Sequence, residues 1–494
     1  MNNRIEWREL ASRLRGDVVL PGDADYEHAK QLQDVQFDAV SPRAVAYCAD
    51  TGDVRTTLRF ARRHGLPLAV RSGGHSIAGY STTTGIVLDV SRLDSVAVRD
   101  GVVRVGPGVQ AVDAVNALAP HGLAIPNGFC PTVSAGGFFA GGGFGLLTRS
   151  HGLGSDRLVG AEVVLADGRV VRCSRHEHED LFWALRGGGG GNFGVVTAYD
   201  IDPVPVTGVV NFSLVWSWAD AADVMLAWQR WAPAVDRRLT SWLGIFLPDA
   251  APGTQAQVVA FGMWQGDAGG LDAPLAALTA QVPAAPLARS VEPLPYQTAM
   301  MRWWFCGGMT VDQCHRVGDG GGQLPRTLHQ TLRGRMFDRV MPRKAVERFL
   351  AAFDADRRAG QGRMSLAAAF GGAANEPGRR DTAYVHRTSL FHVDCTVTVT
   401  APQPSEEDIA RSVRWADNGF RVLDQFSNGE SYQNYTDPRL GDFAEAYYAE
   451  NYARLKRVKR RYDPDDVFRF AQSVGGHTDD RHDDRHDERQ EFAG

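Results

Sequence analysis

Apolar and polar residues alternate with two different periods in the N-terminal part of the chain. Apolar residues at helical spacing predict amphipathic helices over residues 54–64 and 110–120. Runs rich in Val, such as "LPLAV", "GIVLDVS" and "GVVRVGPG", predict strands, and "RLVGAEVVLADGRVVRCS" predicts a β-hairpin that turns at Asp167-Gly168. We therefore expect helices mixed with strands, and a strand-loop-strand unit around His75.

The pattern changes near residue 207. From 207 to 424 the strands become long, alternating and aromatic, as in "VVNFSLVWSW", "AQVVAFGMW" and "SLFHVDCTVTVT". Helical stretches at 220–231 and 406–423 separate them, which predicts a second, sheet-based domain. The aromatic residues Trp303, Trp304 and Phe305 fit either a ligand-lining surface or an ordinary core, and the core is favoured for each one taken singly.

The last segment, residues 476–494, has almost no apolar content and repeats acidic, basic and histidine residues as "DDRHDDRHDER". Such a composition cannot bury a core, so a disordered tail is expected. Its three histidines could bind a metal weakly, but a solvated charged tail is favoured and no metal site is expected.

Length and charge narrow the class of protein. A chain of 494 residues should form at least two domains, because single cores stop growing at about 250–300 residues. The formal net charge of −5 offers no basic surface for nucleic acid. The start "MNNRIEWREL" lacks the apolar stretch of a signal peptide, and no apolar run approaches the ~18 residues of a membrane span. A cytoplasmic protein with neither a nucleic-acid nor a membrane partner is expected.

The six cysteines, at 48, 130, 173, 306, 314 and 395, show neither metal-site spacing nor the density of a disulfide framework. Reduced thiols are expected. Cys48, Cys173 and Cys395 are interpreted as small buried hydrophobes, the usual role of free cysteines.

Glycine is concentrated between residues 73 and 194, which predicts that backbone approaches a large, flat or phosphorylated ligand closely. A flexible linker is disfavoured because phenylalanines interrupt the glycine runs. Gly189, Gly191 and Gly194 match the dinucleotide-binding pattern GxGxxG. A helix is predicted before this pattern and a strand after it, the reverse of the order that pattern requires.

Six ordered blocks of the chain resemble one family. The blocks "PLAVRSGGHS", "NGFCPTVSAGGFFAGGGFG", "SHGLGSDRLVGAEVVLADGRVV", "FWALRGGGGGNFGVVT", "YQNYTDPRL" and "YYAENYARLKRVKRRYDPDDVFRFAQSV" resemble the berberine-bridge-enzyme-like FAD-linked oxidases of the vanillyl-alcohol oxidase superfamily. The resemblance implies an α+β fold. In it, residues 1–206 and 425–475 form a two-part FAD-binding domain, and 207–424 form an inserted antiparallel-sheet domain that binds substrate.

The resemblance also implies that FAD is attached covalently at two points. His75 would bond the 8α methyl of the flavin, and Cys130 would bond carbon 6 of the same ring. From the residues alone, a hydrogen-bonded loop histidine and a small buried cysteine remain the alternatives. Further cofactor contacts implied by the family are Arg71, Ser72, Gly73, Gly74, Ser76, Thr132, Ser134, Gly136, Gly137, Gly141, Gly142, Gly145, Gly194, Val195, Val196, Asn451 and Gln472.

For the catalytic base, the resemblance points to Tyr435 in "SYQNYTDPRL". A phenol has an ordinary pKa of about 10, so the site is expected to lower it. Candidate partners are Tyr432, Asp394 and His392, the last two on one face of a predicted strand. The alternative is a half-buried tyrosine bonded to a backbone carbonyl.

The expected activity is an FAD-dependent oxidase. It would remove hydride from an alcohol or hemiacetal carbon of a sizeable oligosaccharide, glycoside or polycyclic natural product, with dioxygen reduced to hydrogen peroxide. An oxidative cyclase or dehydrogenase of secondary metabolism, and a flavin-binding protein without catalysis, remain alternatives. The sequence does not indicate an oligomeric state.

Overall fold

The computed structural model describes residues 5–476, so the predicted tail at 476–494 lies outside the described residues apart from its first position. The helices are α1 (Trp7–Arg13), α2 (Tyr26–Ala29), α3 (Thr51–Arg63), α4 (Ala111–Leu118), α5 (Ala135–Ala140), α6 (Thr148–His151), α7 (Glu179–Ala184), α8 (Ala221–Ala234), α9 (Asp272–Thr279), α10 (Tyr296–Trp303), α11 (Arg343–Asp354), α12 (Glu406–Phe426), α13 (Phe443–Tyr448) and α14 (Tyr452–Tyr462).

The strands are β1 (Asp17–Val19), β2 (Ala44–Tyr47), β3 (Leu68–Arg71), β4 (Ile86–Asp89), β5 (Val96–Arg99), β6 (Val102–Val105), β7 (Leu123–Ala124), β8 (Leu158–Val164), β9 (Val170–Ser174), β10 (Val195–Ile201), β11 (Val204–Pro205), β12 (Gly208–Ser217), β13 (Leu239–Leu247), β14 (Gln257–Trp264), β15 (Ala288–Pro295), β16 (His329–Phe337), β17 (Gln361–Ala369) and β18 (Phe391–Val399). The α+β class expected from the sequence is confirmed.

Two sheets are built mainly from the first 206 residues. One has the strand order β1-β2-β4-β3, with β2 and β3 parallel to β4. The other is antiparallel with the order β5-β6-β10-β8-β9. The predicted hairpin is its β8–β9 pair, and Gly168 supplies the positive φ of +84° at the turn. The predicted strand-loop-strand unit around His75 is β3, the loop and β4.

The third large sheet is antiparallel, with seven strands in the order β15-β12-β14-β13-β17-β18-β16. The predicted aromatic strands are β12, β14 and β18. Helices α8, α11 and α12 cover one face and share a core with it. Ser405 and Asp408 form a reciprocal capping box that fixes the start of α12.

A separate hydrophobic cluster joins this sheet to the N-terminal part. It packs Val112 of α4 and Phe144 against Trp242 of β13 and Met336 of β16, with Tyr432 from the C-terminal segment. Side chains from three distant parts of the chain therefore fill one core, which holds the loops between them in fixed positions.

The glycine run ends as the sequence predicts. Helix α7 precedes it and strand β10 follows, so the helix-to-strand order excludes the dinucleotide-binding arrangement of GxGxxG. Gly194 has a φ of +154°, and a Cβ there would lie 2.6 Å from Val163. Only glycine allows the run to enter β10 at this point.

The expectation that all thiols are reduced is wrong for one pair. Cys306 and Cys314, eight residues apart, form a disulfide because the chain folds back on itself after α10. Cys48, Cys173 and Cys395 are free and buried, as expected. The core interpretation of the neighbouring aromatic residues holds for buried Trp304 but not for Phe305, which is 82% exposed.

None of the helices within residues 5–476 combines the length and the apolar character that a membrane span requires.

Candidate active site

One cavity of about 440 Å³ collects residues from all three parts of the chain. Its wall includes the loop after β3, the loop that carries Cys130, the glycine run before β10, and side chains of β16, β17 and β18. Residues 432–436 and 468–470 complete it. Nucleophiles and acid or base groups converge here, which makes this cavity the candidate active site.

His75 is half-buried and lies at the cavity wall. Its Nε2 is 2.8 Å from Oγ1 of Thr132, which does not itself line the cavity but fixes the ring. Burial, helped by the charge of Arg316, lowers the pKa of His75 to about 4. The imidazole is therefore neutral at physiological pH, the form that carries a free lone pair.

Cys130 is the other nucleophile at this wall, and it is half-buried. Burial first, and then the negative charge of the Asp34 carboxylate, raise the pKa of the thiol to about 11. Asp34 also lines the cavity and is buried. Gln330 of β16 donates from Nε2 to Oδ2 of Asp34 at 3.0 Å. The cysteine is thus a neutral thiol beside a carboxylate.

The predicted cofactor residues fall into two groups. Those that line the cavity are Ser72, Gly73, Gly74, His75, Ser76, Cys130, Ser134, Gly136, Gly137, Gly194, Val196 and Gln472. Those that do not line it are Arg71, Thr132, Gly141, Gly142, Gly145, Val195 and Asn451.

The residues of the second group support the wall from behind. Arg71 does not line the cavity, and its buried guanidinium pairs with Asp89 of β4. A Cβ on Gly141 would lie 1.9 Å from Oδ1 of Asn434, and a Cβ on Gly145 would lie 1.8 Å from a backbone oxygen. Gly142 is packed against Tyr384 in the same way. These glycines permit close packing of the chain beneath the cavity.

The two predicted C-terminal amides, Asn451 and Gln472, also differ in whether they line the cavity. Asn451 donates from Nδ2 to the carbonyls of Arg379 at 2.7 Å and Thr382 at 3.2 Å, so it fixes a neighbouring loop. Gln472 donates to the carbonyl of Asp437 at 2.9 Å, and its Oε1 is buried without a hydrogen-bond partner among the described residues. Gln472 therefore has an acceptor available to a ligand.

The cavity fits FAD, which is long, carries a flat ring at one end and is polar along its middle. Gly189 and Gly191 line it with φ values of +85° and +73°, so bare backbone forms one side. A Cβ built on Gly137 would meet no atom within 4 Å, which marks open space beside α5. Oγ of Ser81, another lining residue, is buried without a hydrogen-bond partner in the described chain. Such groups are available to a polar ligand.

Tyr435 and Tyr432 both line the cavity, with ring centroids 5.2 Å apart. The Tyr432 hydroxyl accepts hydrogen bonds from the N–H of Gly143 at 3.0 Å and from Nδ2 of Asn434 at 2.9 Å. Burial first, then the charge of Asp394, raise the pKa of Tyr435 well above its ordinary value. The expectation that the protein itself lowers this pKa is wrong, because none of the residues within 5–476 places a cation against the phenol to offset burial.

Asp394 lines the cavity beside these tyrosines, and its neighbour His392 does not. Oδ1 of Asp394 accepts from the N–H of Leu366 at 3.1 Å, and burial raises the pKa of Asp394 to about 7. His392 packs behind Tyr435 with ring centroids 5.4 Å apart, and Nδ1 lies 4.0 Å from Oδ2 of Asp394. Burial lowers the pKa of His392 to about 3, so it is neutral.

Several lining residues were not predicted from the sequence. They are Asp34 and Gln330 near Cys130, Met364 and Thr396 on the large sheet, and Tyr80 with Phe470, whose ring centroids are 4.9 Å apart. None of them belongs to a spaced motif.

Comparison with known proteins gives two family matches. A family described as an FAD binding domain matches residues 42–174, and one described as berberine and berberine like matches residues 431–475. The FAD-linked oxidoreductase YvdP of Bacillus subtilis is 31% identical over 475 residues, which cover 94% of this chain and 99% of that protein.

Solved structures agree in fold over nearly the whole chain. BBE-like 1 of Physcomitrella patens superposes with a TM-score of 0.85 at 22% identity, covering 94% of this chain and 98% of that one. Glucooligosaccharide oxidase of Acremonium strictum, which carries a 6-S-cysteinyl, 8α-N1-histidyl FAD, superposes with a TM-score of 0.82 at 23% identity, covering 94% and 98%. The chain is an FAD-dependent oxidoreductase that belongs to the berberine-bridge-enzyme-like family of FAD-linked oxidoreductases.

Proposed function

We propose that this protein is an oxidase that holds FAD through covalent bonds to His75 and Cys130 and oxidises an alcohol or hemiacetal carbon of a sizeable substrate. The observation that carries the proposal is the meeting of two nucleophiles, Tyr435 and Asp394 in one cavity. The similarity to a glucooligosaccharide oxidase with a doubly attached flavin supports it.

The histidine is prepared for attachment by its hydrogen bond. When Nε2–H donates to Oγ1 of Thr132, the lone pair of the neutral ring lies on Nδ1. The lowered pKa of about 4 keeps that lone pair free of a proton at physiological pH. Nδ1 is therefore the nucleophilic atom that we assign to the bond with the 8α carbon of the flavin.

Bound FAD would supply the acceptor for a hydride from the substrate carbon and the route by which two electrons reach dioxygen, with hydrogen peroxide as the product. Tyr435 accepts the proton of the substrate hydroxyl. Because burial keeps the free phenol protonated, its own proton must leave at the same time, and Asp394 is the acceptor. His392 packs against the ring of Tyr435. Tyr432 is part of the wall, and two hydrogen-bond donors fix its hydroxyl.

The substrate end of the cavity combines apolar and polar groups. Leu332, Met364 and Leu366 face it from the large sheet, with Thr396 and Gln330 among them. This mixture suits a molecule with both flat apolar faces and hydroxyl groups, such as a sugar ring or a polycyclic alcohol. The oligosaccharide activity of the fold relative favours sugars as the first class to test.

The test is peroxide production and anaerobic flavin bleaching against a panel of glucose-, mannose- and glucosamine-based oligosaccharides, aryl glycosides and polycyclic alcohols. We expect bleaching with one class and an equivalent yield of peroxide in air. The Tyr435→Phe variant, with the same flavin content, is the matched control. Bleaching without peroxide would exclude an oxidase, and no bleaching with any class would oppose the proposed reaction.

A further inference from the structure

Asp34 is a buried carboxylate that the hydride-transfer chemistry does not use. It is 4% exposed and lies at the junction between the N-terminal part and β16. The backbone of residues 33–35 is held on two sides, since Gln33 N–H donates to the carbonyl of Gly74 at 3.0 Å and Val35 N–H donates to that of Thr327 at 2.9 Å. Asp34 is thereby fixed beside the loop that carries His75.

The side-chain partners of Asp34 are neutral. Gln330 donates to it at 3.0 Å, and Thr327 adds a second hydrogen bond. The cation whose charge acts on Asp34 is Arg326, and it is bonded instead to both carboxylate oxygens of Asp38, at 2.6 and 2.9 Å. A buried carboxylate without an ion pair is costly to retain, and burial raises the pKa of Asp34 to about 6.

Asp34 and Cys130 line the same cavity, and the carboxylate charge acts on the thiol. No direct hydrogen bond joins the two side chains in the described chain, so a proton would pass between them through a bridging water. That charge opposes formation of a thiolate. If the thiol proton moves to Asp34, however, the charge is removed at the moment the sulfur becomes negative. The pair is therefore suited to proton transfer that accompanies bond formation at sulfur and unsuited to a stable thiolate.

We propose that Asp34 is the proton acceptor for Cys130 when this cysteine bonds carbon 6 of the flavin, a role that rests on the proposed double attachment. The S–H bond of Cys130 and the C–H bond at carbon 6 break, and an S–C bond forms. The two electrons and two protons released pass to dioxygen as the oxidant, and hydrogen peroxide leaves. The proton that Asp34 takes from the thiol is one of these two protons, and Asp34 is free to accept again once it has passed to the reduced oxygen.

The pH dependence of attachment follows from the groups around Asp34. These are Arg326, which stays paired with Asp38, together with Cys130 and neutral His75. Attachment in the native chain should accelerate as pH rises through about 6, where Asp34 becomes able to accept a proton, and then level off. Without Asp34, the rate should keep rising at higher pH, because burial alone still holds the pKa of the thiol above its usual value.

The experiment uses the His75→Ala background, in which Cys130 is the single proposed point of attachment. Purified flavin-loaded His75→Ala is compared with the same variant carrying Asp34→Asn, Asp34→Glu or, as a control, Asp25→Asn, an exposed carboxylate whose side chain makes no capping hydrogen bond. The intact mass of the denatured chain and mapping of the peptide that contains Cys130 report attachment at purification and during incubation from pH 5 to pH 10. Flavin bound before denaturation reports an intact cavity.

We expect full attachment in His75→Ala and in the Asp25→Asn control. Asp34→Asn should bind flavin but attach it about 10²-fold more slowly at pH 7, with a rate that still rises at pH 10, and Asp34→Glu should restore most of the rate. Equal rates with and without Asp34 would overturn the proposed role of Asp34 and would leave the proposed bond to Cys130 unaffected. Complete release of flavin from denatured His75→Ala would overturn the bond to Cys130 itself, and with it the role of Asp34.

Discussion

Tyr432 and Tyr435, three residues apart, have different roles in the cavity wall. The Tyr432 hydroxyl accepts hydrogen bonds from two N–H groups. The ring of Tyr435, in contrast, packs against His392 and lines the cavity. Removing the Tyr432 hydroxyl leaves Gly143 and Asn434 as unsatisfied donors, which costs about 1–3 kcal/mol. Removing the Tyr435 hydroxyl leaves no such donor.

We therefore expect Tyr432→Phe to lower the free energy of unfolding by about 1–3 kcal/mol. Tyr435→Phe should leave the free energy of unfolding nearly unchanged. Anaerobic flavin reduction should slow in Tyr435→Phe by about 10²- to 10⁴-fold, the usual contribution of a general base. Urea unfolding and stopped-flow absorbance measure the two effects. Near-normal reduction in Tyr435→Phe would transfer the role of base to another residue.

Asp394 makes stability depend on pH in the direction opposite to most carboxylates. Its pKa is about 7 in the folded chain, against about 3.9 in an unfolded one. The folded state therefore holds the proton more tightly, so this group favours folding fully below pH 4 and loses that contribution as pH rises to 7. Above pH 7 the buried charge is a net cost.

Asp394→Asn should accordingly raise the unfolding temperature at pH 8 and leave it unchanged near pH 3.5. The asparagine Oδ1 retains the hydrogen bond from Leu366, so the comparison isolates the charge. Thermal unfolding at the two pH values measures the difference. A variant that is equally destabilised at both would show that Asp394 acts through packing.

At the scale of single residues, the sequence predicted the groups that belong to spaced motifs. His75, Cys130 and Tyr435 were recognisable because each sits in a distinctive block. Asp34 was not, because a carboxylate in "QLQDVQF" has the same appearance whether it is exposed or buried. The direction of the Tyr435 pKa was missed for a related reason: it depends on the side chains that surround the phenol in space, above all Asp394.

At the scale of elements, the segment after α10 is closed by a disulfide and anchored to the cavity. Cys306 and Cys314 close a loop of eight residues, and the Nε1 of neighbouring Trp304 donates to the carbonyl of Gly128 at 3.2 Å. Gly128 lies two residues before Cys130. The crosslink thus restrains the segment that packs on the nucleophile loop.

Replacing Cys306 and Cys314 by alanine should lower the free energy of unfolding by about 2.5 kcal/mol, the entropy that a loop of this size restricts in the unfolded chain. Denaturant titration with and without a reducing agent measures it. The reductant should destabilise the native chain and leave the double variant unaffected. An equal response in both would mean that the thiols are not joined in solution.

Element boundaries were largely predictable, and element pairing was not. Helices α3 and α8 and strands β12 and β14 follow the periodicity closely, because each buries one face that the sequence marks. The order β15-β12-β14-β13-β17-β18-β16 has no local signal, since neighbours such as β13 and β17 are about a hundred residues apart. The disulfide was missed because its spacing matches no known pattern.

At the scale of the whole molecule, a buried arginine joins the large sheet to the C-terminal segment. Arg333 of β16 donates to Asp437 at 2.7 Å and to Asp417 of α12 at 2.8 Å, and its guanidinium lies 3.8 Å from the centre of the Phe420 ring. The carbonyl of Asp437 in turn holds Gln472 at the cavity. The contact therefore links fold stability to the site.

Arg333→Met should destabilise the protein by about 3–5 kcal/mol, because it leaves the buried carboxylate of Asp437 without its counterion. Arg439→Met is the matched control, since Arg439 makes an exposed pair with the same Asp417 and should cost about 1 kcal/mol or less. Calorimetry measures both. Equal costs would mean that Arg333 contributes only as a surface pair.

The distribution of the cavity lining along the chain has a consequence for biosynthesis. Ser72 and Gln472 face the same space, yet roughly four hundred residues separate them. At about 5–20 residues per second, a ribosome needs on the order of 20–80 s to translate that interval. The cofactor pocket cannot close until translation has passed Gln472. Stalled or truncated chains are therefore left without a complete pocket.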